Sequence, residues 1–446
     1  MIIKSVSGIR GIIGEGLDPF VVLHFAAHFG EFLQGKSVMV GRDSRKSGEA
    51  LKNAALAGLM GVGVDVIDLG VVPTPTLLYN VKTSNVSGGI VITASHNPAE
   101  WNALKLVSED GEFLSLGEVK EFFSLEGKLI NWKSTSELGK SKKKSGGIER
   151  HMKGVFRSDF INISAIKKRK FRIAIDCVNG GASVAYPKFL KRLNANVYPI
   201  FCDGNGEFPR DPEPKEDNLS LLEEKVRELG ADIGFATDPD GDRLAIVSER
   251  GVALSEESTI VLAIEAVLSK KKGPVVINLS TTRSAEDITK RAGVPLYRSL
   301  VGEANVVSLM KEKNAIIGGE GNGGVIFPEI QYTRDAMVAM GLILQYLVER
   351  DEPLSYIINT IPQYKIIKET LRMDNKEEQV GFVERVKKAN KGKKIDHRDG
   401  VRIEEDDRWV HVRMSGTEPV IRIIAEAPTK KGAISLYEMV KEQGRY

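Results

Sequence analysis

The 446-residue sequence predicts an α/β protein with three similar α/β domains containing mixed sheets and a smaller C-terminal α+β domain. Three observations support this. Strand-like apolar segments alternate with helix-like segments in three successive repeats, and a polar or glycine-rich loop follows the last strand of each repeat. The C-terminal part then changes to closely spaced strands. A chain of this length can bury several separate cores.

Composition and charge restrict the possible classes of function. Hydrophobic residues make up 42% of the chain and charged residues 28%, as is usual for globular proteins. The 63 basic and 60 acidic side chains give a formal charge of +3, so no overall field favours nucleic acid or membranes. Cys177 and Cys202 are too few for a disulfide framework. The absence of a signal peptide or a transmembrane run predicts a cytoplasmic protein.

The first repeat ends in the motif TASHNP, which contains the candidate nucleophile Ser95. Because Asn97 precedes a proline, a helix is disfavoured there and Ser95 is expected on a stiff loop after a strand. Open α/β sheets bind ligands at that end of their strands. Taken alone, the stretch could also be an ordinary Asn-Pro turn. The predicted strand, helix, strand, helix and strand of this repeat span residues 37–41, 47–60, 64–69, 76–83 and 88–93.

The second repeat ends in the loop DPDGDR, with carboxylates at Asp238, Asp240 and Asp242. Three carboxylates at alternate positions can converge on one hard cation, and oxygen ligands suit Mg²⁺ or Ca²⁺. Mg²⁺ is favoured because it usually keeps positions open for water or phosphate. A calcium-binding helix-loop-helix is excluded because its sixth position requires glycine and here holds Arg243. The predicted elements before the loop span residues 171–177, 182–193, 196–201, 219–229 and 232–237, and a further strand follows at 244–247.

The third repeat ends in the glycine-rich loop GGEGNGG, at residues 318–324. Within this loop, only Glu320 and Asn322 have side chains that could hydrogen-bond a polyol. The predicted elements of the repeat are a helix, strand, helix, strand, helix and strand at residues 256–269, 274–279, 284–291, 295–300, 304–311 and 315–317.

The C-terminal part predicts an antiparallel sheet, because Asp399-Gly400 and Asp406-Asp407 are typical hairpin turns. Its loop RMSGTEPVIR combines guanidinium groups, hydroxyls and a glycine, the components of a phosphate-binding cradle. The loop could equally be a tight turn followed by an exposed strand residue. The predicted strands span residues 364–370, 401–405, 409–414 and 420–426, and the predicted helices span 377–389 and 434–442.

A basic stretch, GKSKKKSGG at residues 139–147, separates the first two repeats. It predicts a flexible, solvated linker. A polyanion-binding arm is disfavoured because no aromatic residues lie between the lysines to stack on bases.

The ordered set of motifs resembles the α-D-phosphohexomutase family over nearly the whole chain. TASHNP, DPDGDR, GGEGNGG and RMSGTEP occur in the family's order and at its usual spacing, together with SGIRG at residues 7–11 and GRDSR at 41–45. The resemblance implies four domains around a central cleft, at residues 1–147, 148–250, 251–362 and 363–446. In that order, they would carry loops for phosphoserine, metal, sugar and phosphate.

The resemblance also assigns roles to individual residues. Ser95 would carry the phosphoryl group and, through a phosphoserine oxygen, would bind Mg²⁺ together with Asp238, Asp240 and Asp242. Arg10 would lie near this phosphate, and His96 and Lys105 match the family's proton-handling positions. The implied substrate-binding residues are Arg243, Glu320, Asn322, Arg413, Ser415, Gly416, Thr417 and Arg422.

Two departures from the family pattern are visible. The chain has Asn102-Ala103-Leu104-Lys105 where the family often has Asn-Gly-x-Lys. It has Asn322-Gly323-Gly324 where bacterial members often have Ser-Gly-His, and this second departure affects the expected sugar preference.

The implied activity is transfer of a phosphoryl group between C6 and C1 of a hexose phosphate, with a hexose 1,6-bisphosphate as intermediate and activator. The segments around SGIRG and Ser95 look most like family members that act on glucosamine phosphate. Glucose or mannose phosphate remains open, as do an Mg²⁺-dependent sugar phosphatase and a non-catalytic sugar-phosphate-binding protein. The expected partner is a small-molecule hexose phosphate, with no nucleic acid or membrane, and the chain is expected to be a monomer or homodimer.

Overall fold

The computed structural model describes residues 2–415 and 420–445. The chain forms two compact units. Unit 1 comprises Met1–Lys270 and Asn322–Tyr356, and unit 2 comprises Lys271–Gly321 and Ile357–Tyr446. No helix in the described ranges combines the length and apolar character needed to cross a membrane.

The first sheet of unit 1 is mixed, with strand order β1-β2-β6-β5-β3-β4-β7. β3 is parallel to β4 and β5, whereas β6 is antiparallel to both β5 and β2. The strands are β1 Ile2–Ser5, β2 Gly8–Ile12, β3 Ser37–Arg42, β4 Asp65–Val71, β5 Gly88–Ile92, β6 Trp101–Ser108 and β7 Ser141–Lys143.

Helices cover this sheet and bury its apolar side chains. Asp18 begins α1 by accepting a hydrogen bond from Val21 N, and Pro19 occupies the first helical turn, where its missing N–H costs nothing. Phe25 and Phe29 of α1 pack in one core with Leu59 of α2 and Phe122 of α4. The helices are α1 Pro19–Leu33, α2 Gly48–Gly61, α3 Thr74–Lys82 and α4 Leu116–Phe123.

The second sheet of unit 1 has the order β11-β10-β8-β9. β8 is parallel to β9 and β10, and β11 is antiparallel to β10, so the DPDGDR loop connects an antiparallel pair. The elements are α5 Gly147–Val155, α6 Ile163–Arg169, β8 Arg172–Asp176, α7 Tyr186–Arg192, β9 Asn196–Ile200, α8 Ser220–Leu229, β10 Ile233–Thr237 and β11 Leu244–Ser248.

The remaining segments of unit 1 flank the third repeat. Helix α9 spans Glu257–Lys270. After residue 321, the chain returns to unit 1 with a short strand at Gly324–Ile326 and a largely buried helix at Ala336–Arg350. Asp335 begins this helix by accepting hydrogen bonds from Met337 N and Val338 N.

Unit 2 combines the central strands of the third repeat with the C-terminal sheet. β12 lies between β13 and β14 and is parallel to both. The elements of this part are β12 Val275–Asn278, α10 Ser284–Ala292, β13 Leu296–Ser299, α11 Glu303–Lys313 and β14 Ile317–Glu320. The next elements in the chain are the strand and helix of unit 1 described above, which are labelled β15 (Gly324–Ile326) and α12 (Ala336–Arg350). Helix α13 spans Leu354–Asn359, across the boundary between the units.

The C-terminal sheet of unit 2 is antiparallel, as predicted, with order β16-β20-β19-β18-β17. The helices α14 and α15 supply Phe382, Val386, Leu436 and Val440 to its core. The elements are β16 Lys365–Arg372, α14 Lys376–Ala389, β17 Lys394–Asp396, β18 Val401–Glu404, β19 Trp409–Met414, β20 Val420–Ala427 and α15 Lys430–Arg445.

Three sequence-based expectations need correction. The stretch 139–147 is not simply a flexible linker, because Ser141–Lys143 pairs with β4 as an edge strand. The predicted helix 182–193 divides into a 3₁₀ turn, Gly181–Val184, and α7, because Pro187 fits only in the first turn of a helix. The last strand of the third repeat extends to Glu320, so Gly318 and Gly319 belong to the strand rather than to the loop.

Candidate active site

Ser95 lies on the loop after β5 and is almost completely buried. Its backbone φ is +50°, in the left-handed region that residues other than glycine rarely adopt. Ser95 N donates to Thr93 Oγ1 at 2.9 Å, and Asn97 N donates to Ala94 O at 3.1 Å. The hydroxyl is therefore presented by a strained, tightly bonded turn.

Arg45 fixes this turn through hydrogen bonds to its carbonyl oxygens. Arg45 was not predicted as a site residue. Its Nη2 donates to the carbonyl oxygens of Ser95 and Asn97, each at 2.6 Å, and its Nη1 donates to Pro98 O at 2.5 Å. Its Nε donates to Asp43 Oδ2 at 3.1 Å. The available signal was the motif GRDSR, in which a buried arginine can use its rigid fork of donors to bind several carbonyls.

Two antiparallel strand pairings bring Arg10 and Lys105 toward the serine turn. In β6, Lys105 is opposite Val91 of β5, and in β2, Arg10 is opposite Ala103 of β6. Arg10 Nη1 donates to Asn97 Oδ1 at 2.9 Å. Neither residue was predicted to lie on a strand, and the strand pairings bring both to the region of Ser95.

The metal-loop candidate DPDGDR forms a tight turn between β10 and β11. Gly241 N donates to Asp238 O at 3.1 Å, with Gly241 at a φ of +69°. A β-carbon at Gly241 would lie 2.8 Å from Tyr186 Oη, so both the conformation and the close approach require glycine. Asp238 Oδ1 accepts hydrogen bonds from the backbone N–H groups of Asp242 and Arg243, both at 3.2 Å. These contacts stabilise a turn in which the three aspartate side chains are buried close together.

Each carboxylate of the loop has a partner from another part of unit 1. Asp238, Asp240 and Asp242 contact, in that order, Ser95 Oγ at 2.7 Å, Lys105 Nζ at 2.8 Å and Arg334 Nη2 at 2.5 Å. Asp240 Oδ2 also accepts a hydrogen bond from Thr74 Oγ1 at 2.8 Å. Arg334 and Thr74 are thus two further site residues that lie outside the motifs.

The carboxylate cluster has the composition and electrostatics of a cation site. One oxygen from each aspartate lies within 4.8 Å of those from the other two. The Oδ1 atoms of Asp240 and Asp242 are buried and accept no hydrogen bond from residues in the described ranges. Burial and the two neighbouring carboxylates raise the pKa of Asp238 well above its usual value. A divalent cation would offset this repulsion, and hard cations prefer oxygen ligands.

Asp240 has the opposite protonation behaviour to Asp238. Burial alone would raise the pKa of Asp240, but the ammonium of Lys105, the neighbouring carboxyl of Asp238 and the hydrogen bonds from Lys105 and Thr74 outweigh it. The net result is a lowered pKa, so Asp240 is an ionised ligand candidate at neutral pH.

His96 follows the serine and lies in a cationic environment. Its Nδ1 is 3.5 Å from Ser95 Oγ. Burial, followed by the positive charges of Arg243, Arg10 and Arg334, lowers the pKa of His96 well below its usual value of 6.5. The imidazole is therefore neutral near pH 7, and the surrounding guanidinium groups form an environment suited to an anion.

Arg243 and Asn322 lie in unit 1, where both contact neighbouring groups of the protein. Arg243 Nη1 donates to Glu213 Oε1 at 2.8 Å, and the Arg243 backbone forms an isolated β-bridge with Gly324. Asn322 Oδ1 accepts a hydrogen bond from Gly324 N at 3.2 Å. These contacts join the end of the predicted sugar loop to the end of the metal loop.

Glu320 lies at the end of β14, in unit 2, and is buried. Its Oε1 accepts hydrogen bonds from Asn278 Nδ2 at 2.8 Å and from Gly302 N at 3.0 Å. These contacts fix the position of a carboxylate that the sequence assigned to sugar binding.

The phosphate-cradle candidates also lie in unit 2. Arg413 of β19 is opposite Arg422 of β20, so two guanidinium groups occupy facing positions of adjacent strands. Like charges in such positions repel, and Asp399, whose Oδ2 is 3.3 Å from Arg413 Nε, offsets part of this repulsion. A bound anion would offset more of it. Ser415 N donates to Val420 O at 2.9 Å. Gly416 and Thr417 lie outside the described residues.

Unit 1 therefore contains a buried serine hydrogen-bonded to a three-carboxylate cluster that is suited to a divalent cation. Charge neutralisation and positioning are the main requirements of phosphoryl transfer, so fold and site together define an α/β protein equipped for phosphoryl chemistry.

Comparison with known families gives a more specific assignment. Residues 1–121, 149–251 and 255–364 match alpha/beta/alpha domains I, II and III of phosphoglucomutase/phosphomannomutase, and residues 370–443 match its C-terminal domain. The chain belongs to the phosphoglucomutase/phosphomannomutase family of α-D-phosphohexomutases. It is an intramolecular phosphotransferase, an isomerase of carbohydrate metabolism, and the predicted fold class is confirmed.

Individual relatives agree with this assignment over nearly their whole lengths. A phosphoglucomutase/phosphomannomutase from Thermococcus kodakarensis is 36% identical, covering 97% of this chain and 96% of that protein. A protein from Methanopyrus kandleri named "Probable phosphoglucosamine mutase" is 34% identical, with coverages of 97% and 95%. A crystal structure of a phosphoglucomutase/phosphomannomutase family protein from Burkholderia thailandensis is similar with a TM-score of 0.86 and 25% identity, covering 99% and 97%.

Proposed function

We propose that this phosphohexomutase moves a phosphoryl group between C6 and C1 of a hexose phosphate through phosphorylated Ser95. The supporting observation is the 2.7 Å hydrogen bond from buried Ser95 Oγ to Asp238 Oδ2, within a cluster of three buried carboxylates. A serine in this position could carry a phosphoryl group, and a cation held by the three carboxylates would neutralise its charge.

The proposed reaction consists of two transfers. The bond between phosphorus and Ser95 Oγ breaks as phosphorus bonds to a free hexose hydroxyl oxygen, whose proton passes to a basic group of the protein. The resulting hexose 1,6-bisphosphate turns around. Its other phosphoryl group then bonds to Ser95 Oγ, and a proton returns to the departing sugar oxygen. The net change is isomerisation, without loss of phosphate.

The protein's own residues position and neutralise the reacting groups. Arg45 holds the serine turn by hydrogen bonds to its carbonyl oxygens, and Arg10 binds the same turn by donating to Asn97 Oδ1. His96 is the proposed proton acceptor closest to Ser95 Oγ, and Lys105 is the proposed donor beside Asp240. Mg²⁺ bound by Asp238, Asp240 and Asp242 would neutralise charge on the phosphoryl oxygens.

The fixed phosphate of the substrate is proposed to bind to Arg413, Ser415, Gly416, Thr417 and Arg422.

Arg422→Lys keeps the charge but removes the planar fork that can bind phosphate through two hydrogen bonds. We expect KM to rise about tenfold with a smaller change in kcat. Steady-state kinetics would measure this, with Arg408→Lys, in the turn between β18 and β19, as control. An unchanged KM for Arg422→Lys would make Arg422 a structural residue.

Glucosamine phosphate is the proposed substrate, with glucose or mannose phosphate as the alternative. The anchored carboxylate of Glu320 would gain charge assistance from a 2-ammonium group that a 2-hydroxyl cannot provide. The relative named as a phosphoglucosamine mutase supports the first choice, and the Thermococcus phosphoglucomutase/phosphomannomutase supports the second. Arg243 and Asn322 are proposed to complete substrate binding.

A single set of assays tests this function. The purified protein is incubated with the 6-phosphates of glucosamine, glucose and mannose in competition, and 1-phosphates and inorganic phosphate are measured. We expect isomer formation, highest kcat/KM for glucosamine 6-phosphate and a phosphoryl group on Ser95 by peptide mass spectrometry. Release of inorganic phosphate without an isomer would contradict the mutase mechanism, and a higher kcat/KM for glucose or mannose phosphate would reverse the substrate choice.

A further inference from the structure

Arg334 lies just before α12 and is the partner of Asp242, although it belongs to none of the motifs that predicted the site. Its Nη2 is 2.5 Å from Asp242 Oδ2, and their side chains are 11% and 1% exposed. Arg334 therefore contacts the metal-loop candidate from outside the motifs.

The stem of Arg334 occupies the space beside Gly324. A β-carbon at Gly324 would be 2.2 Å from Arg334 Cδ and 2.9 Å from Arg334 Cγ. Real β-carbons do not approach other heavy atoms this closely, and these are middle atoms of the arginine side chain rather than its mobile end. The glycine and the arginine consequently form a matched pair, in which one leaves the volume that the other fills.

The backbone that carries Arg334 is firmly anchored. The neighbouring Asp335 begins α12, and its Oδ2 is 2.8 Å from His151 Nε2 and 2.7 Å from Gln331 Nε2. Arg334 itself forms an isolated β-bridge with Ile326. Because the side chain starts from a fixed point, its guanidinium can hold Asp242 in one orientation.

The contact leaves one oxygen of Asp242 available. Arg334 engages Oδ2, while Oδ1 is buried and accepts no hydrogen bond from any residue in the described part of the chain. Asp240 has the same arrangement, with Lys105 and Thr74 on Oδ2 and a buried Oδ1. Groups that bind the outer oxygen of a ligating carboxylate orient it toward a metal.

We propose that Arg334 is a positioning residue for the cation site, and that Gly324 is required because it admits the Arg334 stem. The proposal rests on the proposed function, since it assigns Asp242 to the cation. Two effects of Arg334 oppose each other: its positive charge repels a cation, whereas its hydrogen bond fixes the ligand. Positioning dominates because a buried, unanchored Asp242 would turn away from the other carboxylates.

The first test measures Mg²⁺ affinity directly, without turnover. Isothermal titration calorimetry of the dephosphorylated full-length protein should show about tenfold weaker Mg²⁺ binding for Arg334→Gln. Arg334→Lys, which keeps the charge and most of the stem, should recover part of the affinity. Arg350→Gln, at the other end of α12, is the control and should bind as the unsubstituted protein does. Equal or tighter binding by Arg334→Gln would overturn the proposal.

A second test uses the Gly324 contact. Gly324→Ala should weaken Mg²⁺ binding about tenfold by displacing the arginine, but should change it less than about twofold in the Arg334→Ala background, where no stem is displaced. Circular dichroism and the thermal midpoint establish that the variants are folded, and should Gly324→Ala fail to fold, the Arg334→Gln and Arg334→Lys comparison alone decides. Equal effects of Gly324→Ala in both backgrounds would refute the matched pair.

The outcomes separate this inference from the function on which it rests. If the unsubstituted protein neither binds Mg²⁺ nor carries phosphate on Ser95, both fail. If it binds Mg²⁺ and isomerises hexose phosphate, and Arg334→Gln binds Mg²⁺ equally well, the inference alone fails. In turnover, Arg334→Gln should lower kcat more than it changes KM, because the residue acts through Asp242 rather than on the sugar.

Discussion

Ser95→Ala is expected to abolish isomerisation, with kcat at least about 10³-fold lower, because it removes the hydroxyl oxygen that is proposed to carry the phosphoryl group. The substitution removes the hydroxyl that donates to Asp238 Oδ2 but leaves the turn's main hydrogen bonds, which involve the backbone of Ser95. Coupled assays for the 1-phosphate and peptide mass spectrometry for covalent phosphate measure the two consequences together.

A pair of substitutions distinguishes lost chemistry from lost folding. At a φ of +50°, glycine is less strained than alanine, so Ser95→Gly should be more stable than Ser95→Ala by about 1 kcal/mol. Both should be equally inactive and free of phosphate. Ser124→Ala, at the exposed end of α4, is the control and should retain full activity. Normal turnover by folded Ser95→Ala would exclude the phosphoserine mechanism.

The candidate loops were predictable because their signals are local. In TASHNP and DPDGDR, a strand, a turn residue and reactive side chains are consecutive in the sequence, so periodicity and turn chemistry are sufficient to locate them. The C-terminal antiparallel sheet was predictable for the same reason, since its hairpin turns at Asp399-Gly400 and Asp406-Asp407 lie between short strands.

The family resemblance implied Ser95 and Lys105 as site residues, but local sequence signals did not predict the partners of those loops, because the contacts depend on pairing between distant segments. Arg334 and Asp242 are 92 residues apart, and Lys105 and Asp240 are 135 apart. Lys105 reaches the site because β6 is antiparallel to β5, and the Asn97-Pro98 turn signal between them does not by itself specify that pairing. Thr74 lies at the start of a helix and has no local feature that indicates a bond to Asp240.

The edge strand at Ser141–Lys143 shows a different limit of sequence reasoning. A run of lysines has low strand propensity and predicts exposure, which is what the three side chains have. Their backbone nevertheless pairs with β4, because the exposed edge of a sheet offers hydrogen-bonding groups to any extended segment nearby. Side-chain composition therefore predicted the solvent exposure of the segment but not its backbone pairing.

Asp240→Asn is expected to give the second large effect, with kcat/KM at least about 10²-fold lower, corresponding to about 3 kcal/mol of lost transition-state stabilisation. The substitution is nearly isosteric, so the turn should persist. It removes the negative charge that faces Lys105. The asparagine NH₂ group must then face either the Lys105 ammonium or the cation, and neither of these can accept a hydrogen bond. Kinetics across a range of Mg²⁺ concentrations would measure the loss, with Asp232→Asn, in a more exposed ion pair, as control.

The same substitution tests whether Asp240 acts on the cation or only on Lys105. If it ligates the cation, high Mg²⁺ should partly restore the rate of Asp240→Asn, and calorimetry should show weaker Mg²⁺ binding. If it serves only to hold the lysine, Mg²⁺ binding should be unchanged and added Mg²⁺ should have no effect on the rate. The buried Oδ1 of Asp240, to which no described residue donates a hydrogen bond, favours the first result. Full activity of Asp240→Asn after exhaustive chelation would remove the carboxylate cluster from the mechanism.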